Sequence, residues 1–475
     1  MTIPIQSNDP VLSGIQANIL KGHGRNFAHH IFLRFIPGHH HHARTWIAAF
    51  AASTVTSARH QLDGIARYHG GLTKDAGSIV TFSLSASGFD KLGLVKPNSE
   101  SFKTGMKARA AFLGDDPNTM EEPFDGIDAM IMIADDHSSI ARHKAHAIIA
   151  QTQTFAHLLV DQKGNVLKTK SGIGIEHFGY ADGISQPLFL ANDIDRQPSA
   201  VEWNDATDPG LLLVKEPSHD AADHFGSFLV FRKLEQNVKA FKNAEGDNKG
   251  IPGQLPIVKD VDGDNNDELA GAMLVGRFEN GTPVVKNSEA RVDNPPVQTN
   301  DFDYRDDLNA LKCPFHAHIR LMTPRNGDTA AGDVRAQRIT RRGIPYDEAG
   351  RIPESQINTI SDELLDANQP EKGVGLLFMC YQSSIENQFE ILQGLWANQG
   401  QIKGHAIGAQ DSIIGQGTNP PKTLPHQWGQ PAQSAPFSFS GFVTMKGGEY
   451  LYTPSIGLLK SLASPLNHPA GPGIA

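Results

Sequence analysis

Asp182 is the side chain in this 475-residue chain whose surroundings most favour chemistry. It lies between two glycines in Gly179-Tyr180-Ala181-Asp182-Gly183, with aromatic and apolar neighbours on both sides. Glycine lets the backbone turn sharply and approach a ligand closely, so this turn would position an acid rather than leave it solvated. The alternative interpretation is an ordinary surface turn with a solvated aspartate, and the turn alone does not decide between them.

A pair of histidines is the second feature that could do chemistry. His316 and His318 alternate with Ala317 in LKCPFHAHIRLMTPR (311–325). We predict a strand here, in which side chains two residues apart project to the same face. One histidine could ligate a metal ion or a haem iron, and the other could be a buried residue whose hydrogen bonds are satisfied within the protein.

A pair of arginines is the third feature. Arg341 and Arg342 precede Gly343 in RAQRITRRGIPYDEAG (335–350). Arginine keeps its proton in proteins, so one of the pair could bind a carboxylate or stabilise negative charge on a small ligand. The alternative is solvation, which we expect for one of the two.

The composition restricts the classes of function. Hydrophobic residues make up 39% of the chain and charged residues 20%, as in an ordinary globular protein. The net charge of −10 argues against a nucleic-acid partner, because phosphate binding requires a basic surface. The chain has no CxxC pair, no HExxH or GxSxG motif and no phosphate-binding Gly-Lys-Ser/Thr loop.

The chain also lacks signals for disulfides, secretion and membrane insertion. Cys313 and Cys380 lie in apolar contexts, which predicts buried free thiols. The N-terminus MTIPIQSNDP has neither the basic nor the apolar region of a signal peptide. The longest clear apolar run, VGLLFMCY (374–381), is too short to span a bilayer. We therefore expect a cytoplasmic or otherwise intracellular protein with no membrane partner, and secretion by another route is the alternative.

The elements that must position these side chains predict an α+β fold. HHIFLRF (29–35) has the apolar density of a buried strand, and helical spacing follows over 43–55. The four histidines between them (39–42) are interpreted as a solvated loop. Strand signals near 77–85 and 126–136 and a helix over 137–155 complete the order of a ferredoxin-like unit.

The second part of the chain repeats this pattern. GSFLVFRKLEQNVKAFKN (226–243) again predicts a strand that runs into a helix, which indicates a duplicated fold. KGVGLLFMCYQSSIENQFEILQ (372–393) predicts a buried strand followed by a helix, with Ser383 and Glu386 as a capping box. FSFSGFVTMKGGEYLYTPSI (437–456) predicts two strands joined at a Gly-Gly turn.

Four motifs in order resemble those of the dye-decolorizing peroxidases: FGYADGISQP, CPFHAHIRLMTPR, RITRRGIPY and LLFMCYQSSIENQFE. ILKGHGR near the start and SIIGQ (412–416) fit as well, so the resemblance covers nearly the whole chain. It is closest to the longer fungal-type and related bacterial members. It implies two ferredoxin-like domains, which we predict at 1–190 and 191–475, with haem b (iron protoporphyrin IX) in the C-terminal one.

The resemblance also implies functional residues. The family's acid, proximal histidine, distal arginine and apolar distal wall fall on Asp182, His318, Arg341, Leu376 and Phe378. For the carboxylate that accepts a hydrogen bond from the proximal histidine, we predict Glu386. The alternative role of Glu386 is the capping box.

The implied function is a haem peroxidase that reduces hydrogen peroxide and oxidises bulky organic donors, such as dyes and phenolics, in one-electron steps. Asp182 would shuttle a proton, Arg341 would stabilise charge and His318 would be the axial iron ligand. The partners would be peroxide and small organic reductants, and a homodimer is compatible with the resemblance. The alternative is a haem carrier or storage protein of the same fold without turnover.

Overall fold

The computed structural model describes residues 4–196, 207–216, 224–246, 254–266, 268–291, 300–325, 334–402, 405–406 and 409–464. Within these ranges, ten strands form one antiparallel sheet. They are β1 (Phe27–Phe35), β2 (Ile79–Ser85), β3 (Ala129–Asp135), β4 (Ala156–Asn165), β5 (Val214–Lys215), β6 (Phe225–Gln236), β7 (Thr340–Arg341), β8 (Ile344–Asp347), β9 (Val374–Gln382) and β10 (Val443–Thr453).

The α-helices of the described residues differ widely in length. They are α1 (His40–Ser53), α2 (Ala58–His69), α3 (Ala86–Lys91), α4 (Glu100–Thr104), α5 (Ala110–Leu113), α6 (Ser138–Thr152), α7 (Ala191–Ile194), α8 (Val238–Glu245), α9 (Leu269–Val275), α10 (His318–Met322), α11 (Asp362–Ala367) and α12 (Ile456–Ser461). Two π-helical segments, Ile385–Phe389 and Ile391–Ala397, follow β9. Every helix in the described ranges falls short of the length and apolarity needed to cross a membrane.

The sheet consists of two units with the same strand order. Along the sheet the order is β7-β9-β6-β10-β2-β3-β1-β4, with β8 also paired to β9 and β5 to β6. Strands β1 to β4, here called the N-terminal unit, lie in the spatial order 4-1-3-2 that is characteristic of a ferredoxin-like fold. Strands β6 to β10, the C-terminal unit, repeat it, with β7 and β8 sharing the second position. The predicted duplicated α+β fold is therefore confirmed, whereas the boundary at residue 190 stays a prediction.

The inner faces of the two units pack against each other and form one apolar core. Phe32 of β1 packs edge-on against Phe231 of β6, with 4.7 Å between ring centroids. Leu377 and Met379 of β9 extend this core, and all four side chains are buried. Because the inner faces cover each other, α1 and α6 pack on the outer face of the N-terminal unit, and the site lies on the outer face of the C-terminal unit.

Three predictions about single segments are wrong. The histidine run is not a loop, because α1 already begins at His40. Ser384 rather than Ser383 accepts the capping hydrogen bond, from the amide of Asn387. Residues 443–453 are one strand instead of two, since a bulge between Met445 and Gly447 accommodates the glycines without a turn. The prediction of buried free thiols is confirmed for both cysteines.

Candidate active site

A cavity lies on the outer face of the C-terminal unit. Its floor is the sheet, where Arg232 and Leu234 of β6 and Leu376 and Phe378 of β9 line it. Side chains two residues apart in a strand share a face, which is why both of these β9 residues reach the cavity. The remaining walls include the turn around Asp182, α10, the π-helical segments and the region around Arg341 in β7.

Asp182 and Arg341 meet at the cavity wall as an ion pair. Arg341 Nη1 donates to Asp182 Oδ1 at 3.1 Å, and about one third of each side chain is exposed. A second guanidinium nitrogen donates to the carbonyl of Ile184 at 2.9 Å. The backbone amide of Arg341 donates to Gln186 Oε1 at 3.1 Å, so the arginine is fixed to the same loop that carries the aspartate. This pair can hold and move a proton beside a fixed positive charge.

Glycine at position 179 is required by the geometry of the Asp182 turn. Gly179 has a φ of 102°, in the region that side chains disfavour, and its amide donates to the carbonyl of Glu176 at 2.9 Å. The amide of Asp182 donates to Gly174 at 3.0 Å, which closes the loop back onto a short ladder. The carboxylate is therefore held by backbone contacts on both sides of the turn.

His318 also lines the cavity and is paired with a buried carboxylate. Its Nδ1 lies 2.8 Å from Asp411 Oδ2, and Asp411 has no exposed side-chain area. The other oxygen of Asp411 accepts from the amides of Ile413 and Ile414 at 2.8 and 2.9 Å. Burial would raise the pKa of Asp411, but His318 and the two amides outweigh it and hold the pKa below its usual value. An ionised Asp411 makes His318 donate from Nδ1 and leaves Nε2 as a possible ligand atom.

The prediction of Glu386 as the partner of His318 is wrong. Glu386 instead accepts from Ser99 Oγ at 2.7 Å and from the amide of Ser101 at 2.8 Å, at the start of α4. Burial alone would raise the pKa of Glu386, but these donors hold it below its usual value. The strand β9 and the segment after it direct this carboxylate away from α10. Sequence reasoning missed Asp411, although it directly precedes the SIIGQ motif.

The predicted strand around the two histidines is wrong. His316 and His318 do not share a strand, because α10 begins at His318. The ring of His316 is buried, 3.1 Å from the carbonyl of Thr423 and 3.2 Å from Ser412 Oγ, and burial lowers its pKa to about 4. It is thus the satisfied core histidine of the pair.

The second arginine is not solvated. Arg342 donates from Nε to the carbonyl of Asn18 at 2.7 Å and from Nη2 to that of Ile19 at 2.9 Å. Its role is structural, because it ties β7 to the N-terminal segment. Of the five positions implied at the site, Asp182, His318, Arg341, Leu376 and Phe378, all line the one cavity.

The imidazole and the cavity walls suit a flat apolar group with a metal at its centre. His318 is the imidazole that reaches the cavity with one nitrogen engaged, and neutral imidazole is a common ligand for iron. Ile319, Leu376 and Phe378 supply apolar surface around it. This donor set fits haem.

Three arginines suit the carboxylates of such a group. Arg277, Arg325 and Arg338 line the same cavity. Burial lowers the pKa of Arg277 and of Arg325 to about 10, because it disfavours their charged forms. A ligand that carries two carboxylates, as haem b does, would offset that cost through charge-assisted hydrogen bonds.

Comparison with known proteins gives consistent relatives, although no family model matches the chain. Over 469 residues the chain is 37% identical to the multifunctional dye peroxidase DyP2 of an Amycolatopsis species, covering 95% of this chain and 96% of that protein. The structure of the DyP-type peroxidase AnaPX of an Anabaena species matches with a TM-score of 0.85 at 36% identity, covering 97% of both chains. A dye-decolorizing peroxidase in complex with 2,6-dimethoxyphenol matches with a TM-score of 0.75 at 26% identity, covering 95% of this chain and 99% of that one.

Proposed function

This chain belongs to the dye-decolorizing peroxidase family, a family of haem-dependent oxidoreductases, and we propose that its cavity binds haem b and reduces hydrogen peroxide with electrons from organic donors. The donors are dyes and phenols, oxidised one electron at a time. The observation that carries the proposal is that the Asp182–Arg341 pair and His318 line one cavity, while the buried Asp411 is paired with His318. The similar peroxidase in complex with 2,6-dimethoxyphenol supports a phenol as donor.

His318 is the residue that would hold the iron. Its Nδ1–H donates to Asp411 at 2.8 Å, so the Nε2 lone pair is free to bind a metal. A carboxylate on the far nitrogen fixes the ring orientation and makes the ligand nitrogen more basic. When bound, haem would supply the iron that accepts electrons from the donor and delivers them to peroxide.

Asp182 would move the proton that peroxide cleavage requires. Each oxygen of hydrogen peroxide carries one proton, and one oxygen must lose its proton while the departing oxygen gains one to leave as water. An ionised Asp182 can take the first proton and return it to the second oxygen, so it finishes as it began. Such general acid–base transfer contributes about 10²–10⁴-fold to a rate.

Arg341 would stabilise the negative charge that appears between these two transfers. Its guanidinium lies 3.1 Å from Asp182 and stays protonated throughout. A cation held in place by hydrogen bonds stabilises developing charge without reorganising first. The partly exposed Leu376 and Phe378 beside it limit the water that could compete for the proton.

An absorption spectrum of the haem-loaded protein before and after hydrogen peroxide tests the proposal. We expect a haem spectrum that changes rapidly on peroxide addition and returns when 2,6-dimethoxyphenol is added. Asp182→Asn should slow the change by about 10²–10⁴-fold while haem stays bound. Arg341→Leu is the companion variant, and it should also retain haem.

Two outcomes would contradict the proposal. If the protein from a haem-replete preparation contained no bound haem, the proposed function would have no basis. Bound haem that does not react with peroxide would instead favour the carrier or storage protein.

A further inference from the structure

Glu176 is a carboxylate in the cavity wall that the chemistry of Asp182 and Arg341 does not use. It directly precedes the turn that carries Asp182 and lines the same cavity. The antiparallel bridge between Ile175 and Ala181 places the two acids on opposite sides of one narrow loop. Any change at Glu176 is therefore transmitted to Asp182 through a few backbone contacts.

The carboxylate of Glu176 holds the turn together from within. It accepts from the amide of Phe178 at 2.9 Å and from the amide of Tyr180 at 3.0 Å. The backbone adds two more bonds, from the amide of Glu176 to the carbonyl of Tyr180 at 3.1 Å and from Gly179 to Glu176 at 2.9 Å. Bonds to a charged acceptor are roughly twice as strong as neutral ones, so ionised Glu176 clamps the turn most firmly.

Gln236 at the end of β6 is a partner for either protonation state of Glu176. Gln236 Nε2 donates to Glu176 Oε2. Gln236 Oε1 is buried and has no hydrogen-bond partner among the described residues. A half-turn of the amide would bring this oxygen to Glu176, where it could accept from a protonated carboxyl. The pair can thus hold a proton or release it without losing its mutual contact.

The surroundings of Glu176 allow both states near neutral pH. Burial raises the pKa of Glu176 to about 7, against the effect of its three donors, and the nearby Asp182 raises it further. Arg351 is the cation that faces this group. His177 next to it is neutral, because burial lowers its pKa to about 3, and burial keeps the Tyr180 phenol protonated by raising its pKa.

We propose that Glu176 and Gln236 form a proton-holding pair that positions Asp182. A proton that enters from the cavity forms an O–H bond on Glu176, and Gln236 turns to accept from it. The clamp on the amides of Phe178 and Tyr180 weakens, and the repulsion between the two carboxylates disappears. Glu176 is a positioning residue, and this inference rests on the function proposed for Asp182.

The rate of the peroxide reaction, measured with the haem-loaded protein across the neutral range, tests the positioning role. The wild-type rate should change by up to about tenfold across a break near pH 7, a size within the range of couplings between groups that share one hydrogen-bond network. Glu176→Gln should remove this break and leave haem bound. Gln236→Leu should move the break to higher pH, because it removes a donor that stabilises ionised Glu176.

Glu216→Gln is the matched control. Glu216 is also buried, accepts from Ser455 at the start of α12, and has a pKa raised by burial to about 7. It is not among the residues that line the cavity. Its substitution should leave the pH profile of the peroxide reaction unchanged.

An infrared titration of the carboxyl carbonyl stretch separates this inference from the proposed function, since it needs no peroxide. Glu176→Gln and Glu216→Gln should each remove one band that titrates near pH 7. Absence of the Glu176 band, or a break that persists in Glu176→Gln, overturns the pair. A wild-type protein that shows the band and does not react with peroxide supports the pair and contradicts the proposed function.

Discussion

The third strand of each unit shows how one topology serves two purposes. In the N-terminal unit, all seven residues of β3 are buried. In the C-terminal unit, Leu376 and Phe378 of β9 are partly exposed because they face the cavity. The inner faces of both strands are equally sealed, so the difference lies wholly on the outer face.

The outer layer of helices accounts for this difference. In the N-terminal unit, α1 has 14 residues and α6 has 15, and their apolar residues share one core with Ile131. In the C-terminal unit, α8 has eight residues, and the helix after β9 is wound as two π-helical segments. π-helical turns are rare in proteins, but those that occur are often at functional sites. A site can therefore arise where the layer of helices leaves part of a sheet uncovered.

The largest effect is expected from removing His318, the side chain proposed to bind the haem iron in the C-terminal unit. His318→Ala should lower haem affinity by at least about 100-fold, because it removes the direct ligand and not merely its support. The measurement is the haem absorbance retained after gel filtration of the haem-loaded protein.

His316→Gln is the matched control for that experiment. His316 is buried beside Thr423 and Ser412 and does not line the cavity, so haem should remain bound. Retention by His318→Ala combined with loss by His316→Gln would transfer the ligand role to the other histidine.

A direct test of the comparison truncates one side chain on each outer face. Ile131→Ala in β3 should reduce the free energy of unfolding by about 2–5 kcal/mol, because it leaves a void in a sealed core. Leu376→Ala in β9 should cost roughly 1 kcal/mol, since its side chain is only partly removed from solvent. Denaturant unfolding of both variants at equal haem content measures the difference. Equal losses would mean that β9 is covered as completely as β3.

The sequence predicts the sheet well because periodicity reports on burial. The apolar density of HHIFLRF and VGLLFMCY follows from strands covered on one or both faces, and both segments are strands. Local signals fail where tertiary contacts decide. Three of the four histidines lie within the first turn of α1, and a bulge within β10 accommodates Gly447-Gly448.

The site divides along the same line. Asp182 and Arg341 carry their own local signals, a glycine turn and a doubled arginine, and both line the cavity. Asp411 carries no such signal, because its role follows from its contact with His318 across 93 residues of chain. The carboxylate of Glu386, which the sequence predicts as the partner of His318, accepts instead from Ser99 and Ser101.

The closely covered core of the N-terminal unit should also disfavour protonation of the histidine buried in it. His30 of β1 has no exposed area, and burial lowers its pKa from 6.5 to about 4. The unfolded chain therefore binds this proton at higher pH than the folded protein does. We expect the contribution of His30 to the free energy of unfolding to stay constant above pH 6.5 and to fall by roughly 3 kcal/mol as the pH drops toward 4. His30→Gln should lose less stability than the wild type over this range.

NMR titration of the His30 ring is the measurement that decides this prediction. A ring that titrates near its ordinary value of 6.5 would mean that the N-terminal unit admits water, and the contrast between the units would disappear.

The smallest effect is expected at Asp411, the carboxylate that is paired with His318 in the C-terminal unit. Asp411→Asn removes the charge that orients His318, and we expect haem affinity to fall by about 10–100-fold, as for other supporting hydrogen-bond partners. The reduction potential of the bound haem should also rise, because a less basic imidazole stabilises the oxidised iron less. Glu386→Gln is the matched control, and it should change neither quantity, since Glu386 bonds to Ser99 and Ser101 instead. A larger loss of haem affinity with Glu386→Gln than with Asp411→Asn would show that Glu386, and not Asp411, supports haem binding. Dissociation of haem to a scavenger protein and a redox titration measure the two quantities, and together they separate weaker binding from altered electronics.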